Sequence, residues 1–102
     1  MSPTARTLQY LRDAGYPLVQ VVEHRIPHSF ITRDLFGVAD VLAVGKDIVA
    51  VQCTTGSNVS ARVKKITDSD ALACLRKAGI RVLVHGWRKR KGRWVLREID
   101  VS

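Results

Sequence analysis

Two short apolar runs, Val38–Val44 and Ile48–Thr54, stand on either side of Gly45-Lys46-Asp47 and constrain the fold more than any other stretch. Valine-rich runs of this length, separated by three turn-forming residues, read as two buried strands of a hairpin. A turn centred on Lys46 makes the pair antiparallel and sets Asp40 across from Gln52. Directly opposed Cβ atoms in such a pair lie roughly 4.5–5.5 Å apart. Thr54 shares the face of Gln52, because strand side chains repeat every second residue. An acid and a carboxamide therefore meet in the middle of an apolar hairpin. Burying such groups without partners costs about 1–3 kcal/mol each, so a hydrogen-bond network or a metal ion is expected to compensate them.

The rest of the chain arranges itself around this pair. Ser2-Pro3 opens a helix with Ala5, Leu8, Leu11 and Ala14 on one stripe, and Gly15 closes it. Leu18 to Ile26 reads as a first strand ended by Pro27, with His28 to Arg33 as a loop. Thr54-Thr55-Gly56-Ser57 is a turn feeding a helix capped by Thr55 or Ser57, whose buried stripe is Val59, Val63 and Ile66. Thr67-Asp68-Ser69 reads as a break and a fresh N-cap for a further helix over Asp70–Ala78, with Leu72 and Leu75 inward. Ile80–Trp87 and Arg93–Val101 are two more strands, joined by a basic tip, Arg88 to Gly92. The order αβββα(α)ββ specifies an α/β fold, a mixed β-sheet flanked by helices. At 102 residues it is read as a single domain, 1–102.

Charge narrows the partners. Seventeen Lys and Arg against nine Asp and Glu give a formal charge of +8, which favours a polyanion such as nucleic acid. Cys53 and Cys74 lack metal-ligand spacing and read as buried reduced thiols. His24, His28 and His85 show no ligand spacing either. No stretch approaches the ~18–20 apolar residues of a membrane span, and no signal peptide is visible, so a soluble, intracellular chain with no membrane partner is expected.

Asp40 followed by Gln52-Cys53-Thr54 resembles the metal site of the PD-(D/E)XK nuclease superfamily, which includes small Holliday junction resolvases and phage-encoded relatives. There the second strand carries an Asp and the third carries E-x-K; here Gln52-x-Thr54 stands in the E-x-K place. The run DLFGVADVLAV…VAVQCTTGSNVSARVKKI is also similar to short phage and prophage proteins of that superfamily. The resemblance implies a restriction-endonuclease-like core and Mg²⁺- or Mn²⁺-dependent hydrolysis of DNA, with branched DNA as substrate. It further implies a homodimer acting in the cytoplasm of a bacterial host. Mg²⁺ takes hard oxygen ligands and keeps several waters, so one or two carboxylates suffice. Asp40 and Gln52 are the first candidate ligands, with Glu23 or Asp34 as a second acid. Glu23 is favoured because its strand should lie beside that of Asp40. Thr54 cannot supply the charge of the family lysine, and Lys65, one turn beyond Arg62, is the first candidate to replace it, ahead of Lys64.

Further DNA contacts are expected from Arg33, from Ser57 and Asn58 at a helix N-terminus, from Arg62, Lys64 and Lys65, and from the tip residues Arg88, Lys89, Arg90, Lys91 and Arg93. Trp87 and Trp94 are expected to pair across the last hairpin. Two other readings fit the same residues: a nuclease fold that binds nucleic acid without cutting it, and a protein–protein adaptor with a basic docking hairpin.

Overall fold

The computed structural model describes residues 1–102. In chain order the elements are α1 (Pro3–Asp13), β1 (Leu18–Val21), β2 (His24–Arg25), β3 (Thr32–Arg33), β4 (Val41–Val44), β5 (Ile48–Thr55), a 3-10 turn (Gly56–Asn58), α2 (Val59–Thr67), α3 (Asp70–Lys77), β6 (Ile80–Arg90) and β7 (Arg93–Asp100). A five-stranded sheet runs β1-β4-β5-β6-β7, and β2-β3 forms a separate two-stranded ribbon. Only β5 and β6 are parallel, joined by the α2–α3 crossover; every other pair is antiparallel. The fold is mixed α/β, as the order of elements requires.

The central hairpin has the expected register, Val41 opposite Val51 and Val44 opposite Ile48. Its first strand is shorter than expected. Phe36 and Gly37 adopt left-handed backbone conformations, φ 56° and 72°, so Val38 and Ala39 sit in a tight turn closed by a Leu35–Ala39 bridge. The expected strand Leu18–Ile26 breaks in two. Val22 N and Glu23 N both donate to the Asp40 carbonyl, at 2.8 and 3.3 Å, which ends the ladder; His24 and Arg25 then pair with Arg33 and Thr32, in the stretch expected to be a loop. The last hairpin is also tighter. β6 continues to Arg90, and the turn is only Lys91-Gly92, both at positive φ, which matches the right-handed twist of the strands. Trp87 therefore faces Leu96 and Trp94 faces Lys89, so the two tryptophans are not opposed.

Strand alternation divides the core into two layers. Ala50, Val82 and Val84 meet Val59 and Ile66 of α2 and Leu72 and Leu75 of α3. Val41, Ala43, Val49, Val51 and Leu83 meet Leu11 of α1 and Tyr16. Ser2 and Ser69 cap α1 and α3 through their hydroxyls. Thr55 and Ser57 do not cap α2: their hydroxyls lie 3.3 Å apart, and Asn58 Nδ2 donates to Thr55 Oγ1. Gly86 lets α2 descend onto the sheet, since a Cβ there would lie 2.1 Å from Val59 Cγ2. Cys53 is half-buried, and desolvation pushes its thiol up to about 12, whereas Cys74 is exposed on α3 rather than buried. No helix is long and apolar enough to cross a membrane.

The stripe of α1 differs from expectation because a polar group is needed inside. Thr7, not Ala5 or Ala14, is fully buried. Trp87 Nε1 donates to Thr7 Oγ1 at 2.9 Å, Thr7 Oγ1 lies 3.1 Å from His85 Nδ1, and His85 Nε2 lies 2.7 Å from Glu98 Oε2. Nε2 donates to the Glu98 carboxylate, so in the neutral imidazole Nδ1 is bare and accepts from the Thr7 hydroxyl, whose oxygen accepts from Trp87. Burial holds the His85 pKa below its usual value, with Glu98 opposing. The unfolded chain takes up this proton near pH 6.5, where the folded chain does not, so stability is lost as pH falls through that range. The urea midpoint is predicted to drop between pH 7.5 and 5.5 and to drop less in His85→Gln.

Candidate metal and nucleic-acid site

Asp40 lies immediately before β4 and is 3% exposed. Its amide donates to Val51 O at 2.9 Å, which extends the hairpin ladder by one position and brings its side chain against Gln52, also 3% exposed. Asp40 Oδ2 accepts from Gln52 Nε2 at 2.6 Å and from the Cys53 amide at 2.9 Å. The carboxylate thus fixes the orientation of the glutamine: its amide nitrogen is committed and its carbonyl oxygen is turned away. Two oxygens remain buried with no partner, Asp40 Oδ1 and Gln52 Oε1. Leaving such acceptors bare costs about 1–3 kcal/mol each, more for a charged one.

Both residues line a cleft of about 220 Å³ with Glu23, Thr32, Asp34, Cys53, Arg62 and Lys65. Glu23 reaches it because its own amide is held by the Asp40 carbonyl. Burial and the adjoining Asp40 carboxylate, with Asp34 adding, push the Glu23 pKa above the usual carboxylate range, and Arg62 opposes them. Glu23 forms no ion pair with Arg25 or Arg33; Arg25 Nε donates to Ser29 O instead. The donor set is thus carboxylate and amide oxygen, which suits Mg²⁺ or Mn²⁺ rather than a thiolate- or imidazole-seeking metal. No three His, Cys, Asp or Glu side chains cluster at metal-holding distance; beside Asp40 stands the neutral amide of Gln52.

The cations expected at the site separate into groups. Arg62 and Lys65, one helical turn apart on α2, both enter the cleft, whereas Lys64 turns outward to Asp68 at 2.7 Å. Thr54 is 6% exposed and does not line the cleft, so the polar face expected from Gln52 and Thr54 is continuous in the strand but not in the site. Arg88 crosses the 3-10 turn, where its side-chain carbons would lie 3.1–3.4 Å from a Cβ on Gly56, and this brings it to the start of α2 near Ser57 and Asn58. Strand alternation puts Arg88, Arg90, Arg93 and Arg97 on the cleft face of the sheet, and Lys89 on the opposite face beside Trp94. Lys91 occupies the turn itself. Arg33 borders a neighbouring hollow with Asp34 and Phe36. Lys46 lies at the far end of the hairpin, 5.9 Å from the Tyr16 ring.

Two site groups escape a reading of the sequence. Thr32 falls in a stretch that the sequence reads as a loop, and only the β2–β3 ribbon returns it to the cleft. The Cys53 amide has no signature of its own, since every residue but proline carries one; the hairpin register is what selects it.

No protein-family model, curated protein or solved structure matches the chain.

Divalent ions are predicted to stabilise the folded chain by linkage, by about 2.7 kcal/mol at a hundredfold excess over Kd. The thermal midpoint of the native protein should rise by roughly 10–20 °C at that excess of Mg²⁺ or Mn²⁺. Asp40→Asn should melt near the native metal-free midpoint, since it keeps an acceptor for Gln52 and Cys53, and should not respond to the ions.

Proposed function

We propose that the chain is a metal-dependent nuclease that hydrolyses DNA phosphodiester bonds, with branched DNA as its substrate. The observation that carries this reading is the pair of buried, unpartnered oxygens of Asp40 and Gln52 in a cleft that also holds Arg62 and Lys65. Acid and amide oxygens on one wall with cations on the other match the two needs of phosphodiester cleavage, a divalent ion and neutralisation of the phosphate. Asp40 and Gln52 would hold the ion, with Glu23 as the second carboxylate. Bound there, such an ion would supply acidification of a water and withdrawal of charge from the phosphate. Arg62 and Lys65 bind the non-bridging phosphate oxygens and offset their charge. Lys65 thereby takes the part that Thr54 cannot play in the PD-(D/E)XK pattern the chain resembles.

Preference for branches rests on what the protein offers a duplex. The basic residues of the last hairpin contact phosphates without reading base edges. Two copies, related by a two-fold axis, would present two clefts to the two strands cut at a junction.

Thr54 in the place of the family lysine favours a second reading, a DNA-binding module without hydrolysis. A labelled four-way junction and its matching linear duplex separate the two. The nuclease reading predicts cutting of the junction with Mg²⁺ or Mn²⁺, none with chelator, and a loss of at least about 100-fold in Asp40→Asn, the scale of removing one preorganised electrostatic group. Junction binding that survives chelator, with no cutting by the native chain, selects the binding module.

A further inference from the structure

The β2–β3 ribbon begins immediately after Glu23 and ends immediately before Asp34, and both of these flanking residues line the cleft. Its tip is built to a definite shape. Ile26 N donates to Ile31 O at 2.9 Å, Ser29 N to Ile26 O at 3.2 Å, Ile31 N to Ser29 Oγ at 3.0 Å and Arg25 Nε to Ser29 O at 3.1 Å. His28 takes a left-handed conformation, φ 60°, to close it. This scaffold holds Phe30 95% exposed, with the Arg25 guanidinium 5.4 Å from its ring centre. Burying a phenylalanine is ordinarily worth about 1.5–3 kcal/mol, and here a hydrogen-bonded turn leaves the ring almost wholly in solvent. Residues 24–33 contain Arg25, Arg33, His24 and His28 and no acid.

An exposed aromatic plane on a cationic, acid-free arm matches a nucleobase next to its phosphates. Bases stack on such rings irrespective of sequence, and arginine beside the ring adds to the attraction. A base inside a duplex offers no free face. We propose that Phe30 stacks on an unpaired base of the strand whose phosphodiester lies in the cleft, so that the arm selects positions where the helix is already open. The proposal rests on the reading of the cleft as a nucleic-acid site and adds what recognises the branch.

The arm stands opposite a second one. β1 ends, β5 and β6 end, and β4 and β7 begin at the same end of the sheet. The Phe30 ribbon continues from one edge strand there, and the arginine-rich β6–β7 hairpin from the other edge, about 19 Å away at the usual strand spacing. The cleft opens between them. One arm offers stacking and the other phosphate contacts, so a strand lying between them meets both.

The test is DNA binding by the native chain, Phe30→Ala and Phe30→Trp. Fluorescence anisotropy with Ca²⁺ in place of Mg²⁺ would read affinity for a forked DNA and for a fully paired duplex. A 2-aminopurine at the fork would report stacking. Phe30→Ala is expected to weaken fork binding by roughly 10-fold or more, the scale of one base–aromatic stack. Duplex binding should stay within about twofold, and Phe30→Trp should restore the fork preference and the 2-aminopurine response. Thermal unfolding should be unchanged, since Phe30 contributes nothing to the core. Phe30→Ala binding the fork as the native chain does, or losing fork and duplex equally, overturns the stacking role and leaves the cleft reading standing. A native chain that binds neither DNA overturns both.

Discussion

A buried carboxylate between two strands is the constraint on which the rest of this protein depends. Asp40 satisfies one of its oxygens with the Gln52 amide and the Cys53 backbone, which leaves the Gln52 carbonyl oxygen buried and without a partner. The same residue's backbone receives Val22 and Glu23 through its carbonyl and reaches Val51 through its amide. One residue therefore ties β1 to the central hairpin, sets where β1 stops, and brings a second carboxylate to its own side chain. Without a compensating cation, the arrangement leaves two acceptors bare and crowds Glu23 against a like charge. Structures tolerate such strain where a ligand relieves it.

The positive charge is distributed to complement that acid centre. α2 descends onto Gly86, and its face toward the cleft carries Arg62 and Lys65, while Lys64 is turned away and neutralised by Asp68. The parallel crossover from β5 through α2 and α3 to β6 makes this geometry possible, because it returns the chain in the direction that sends the long β6–β7 hairpin past the same end of the sheet. The other face is closed by α1 around the Trp87–Thr7–His85–Glu98 chain of hydrogen bonds. That chain anchors β6 and β7 to α1 and leaves the cleft face free for a ligand.

The central hairpin was legible because three local signals agree: a β-rich apolar pattern on each side, a turn cluster between, and polar residues at mirrored positions. Those signals set the Asp40–Gln52 pairing and, through period-two alternation, the face it shares. Glu23 reaches the cleft from beyond the end of β1 rather than from within the expected strand, whereas the side of α2 shared by Arg62 and Lys65 follows from helical spacing. What the sequence did not disclose depends on non-local geometry. The break after Val21 comes from two amides sharing one carbonyl of a distant residue, and it turns an expected loop into a ribbon. Thr7 looks like a surface position on α1 until Trp87 and His85, some eighty residues away, supply its partners. Thr54 shares a strand face with Gln52, yet the cleft ends between them where α2 packs down, so face alone could not place it in the site.

Diffraction from crystals grown with Mn²⁺, read by its anomalous scattering, tests the central claim most directly. A strong peak in direct contact with Asp40 Oδ1 and Gln52 Oε1, with Glu23 turned toward it, is the predicted result. An empty cleft at saturating Mn²⁺, or a peak elsewhere on the protein with those two oxygens still unpartnered, would contradict the reading of Asp40 and Gln52 as a metal site.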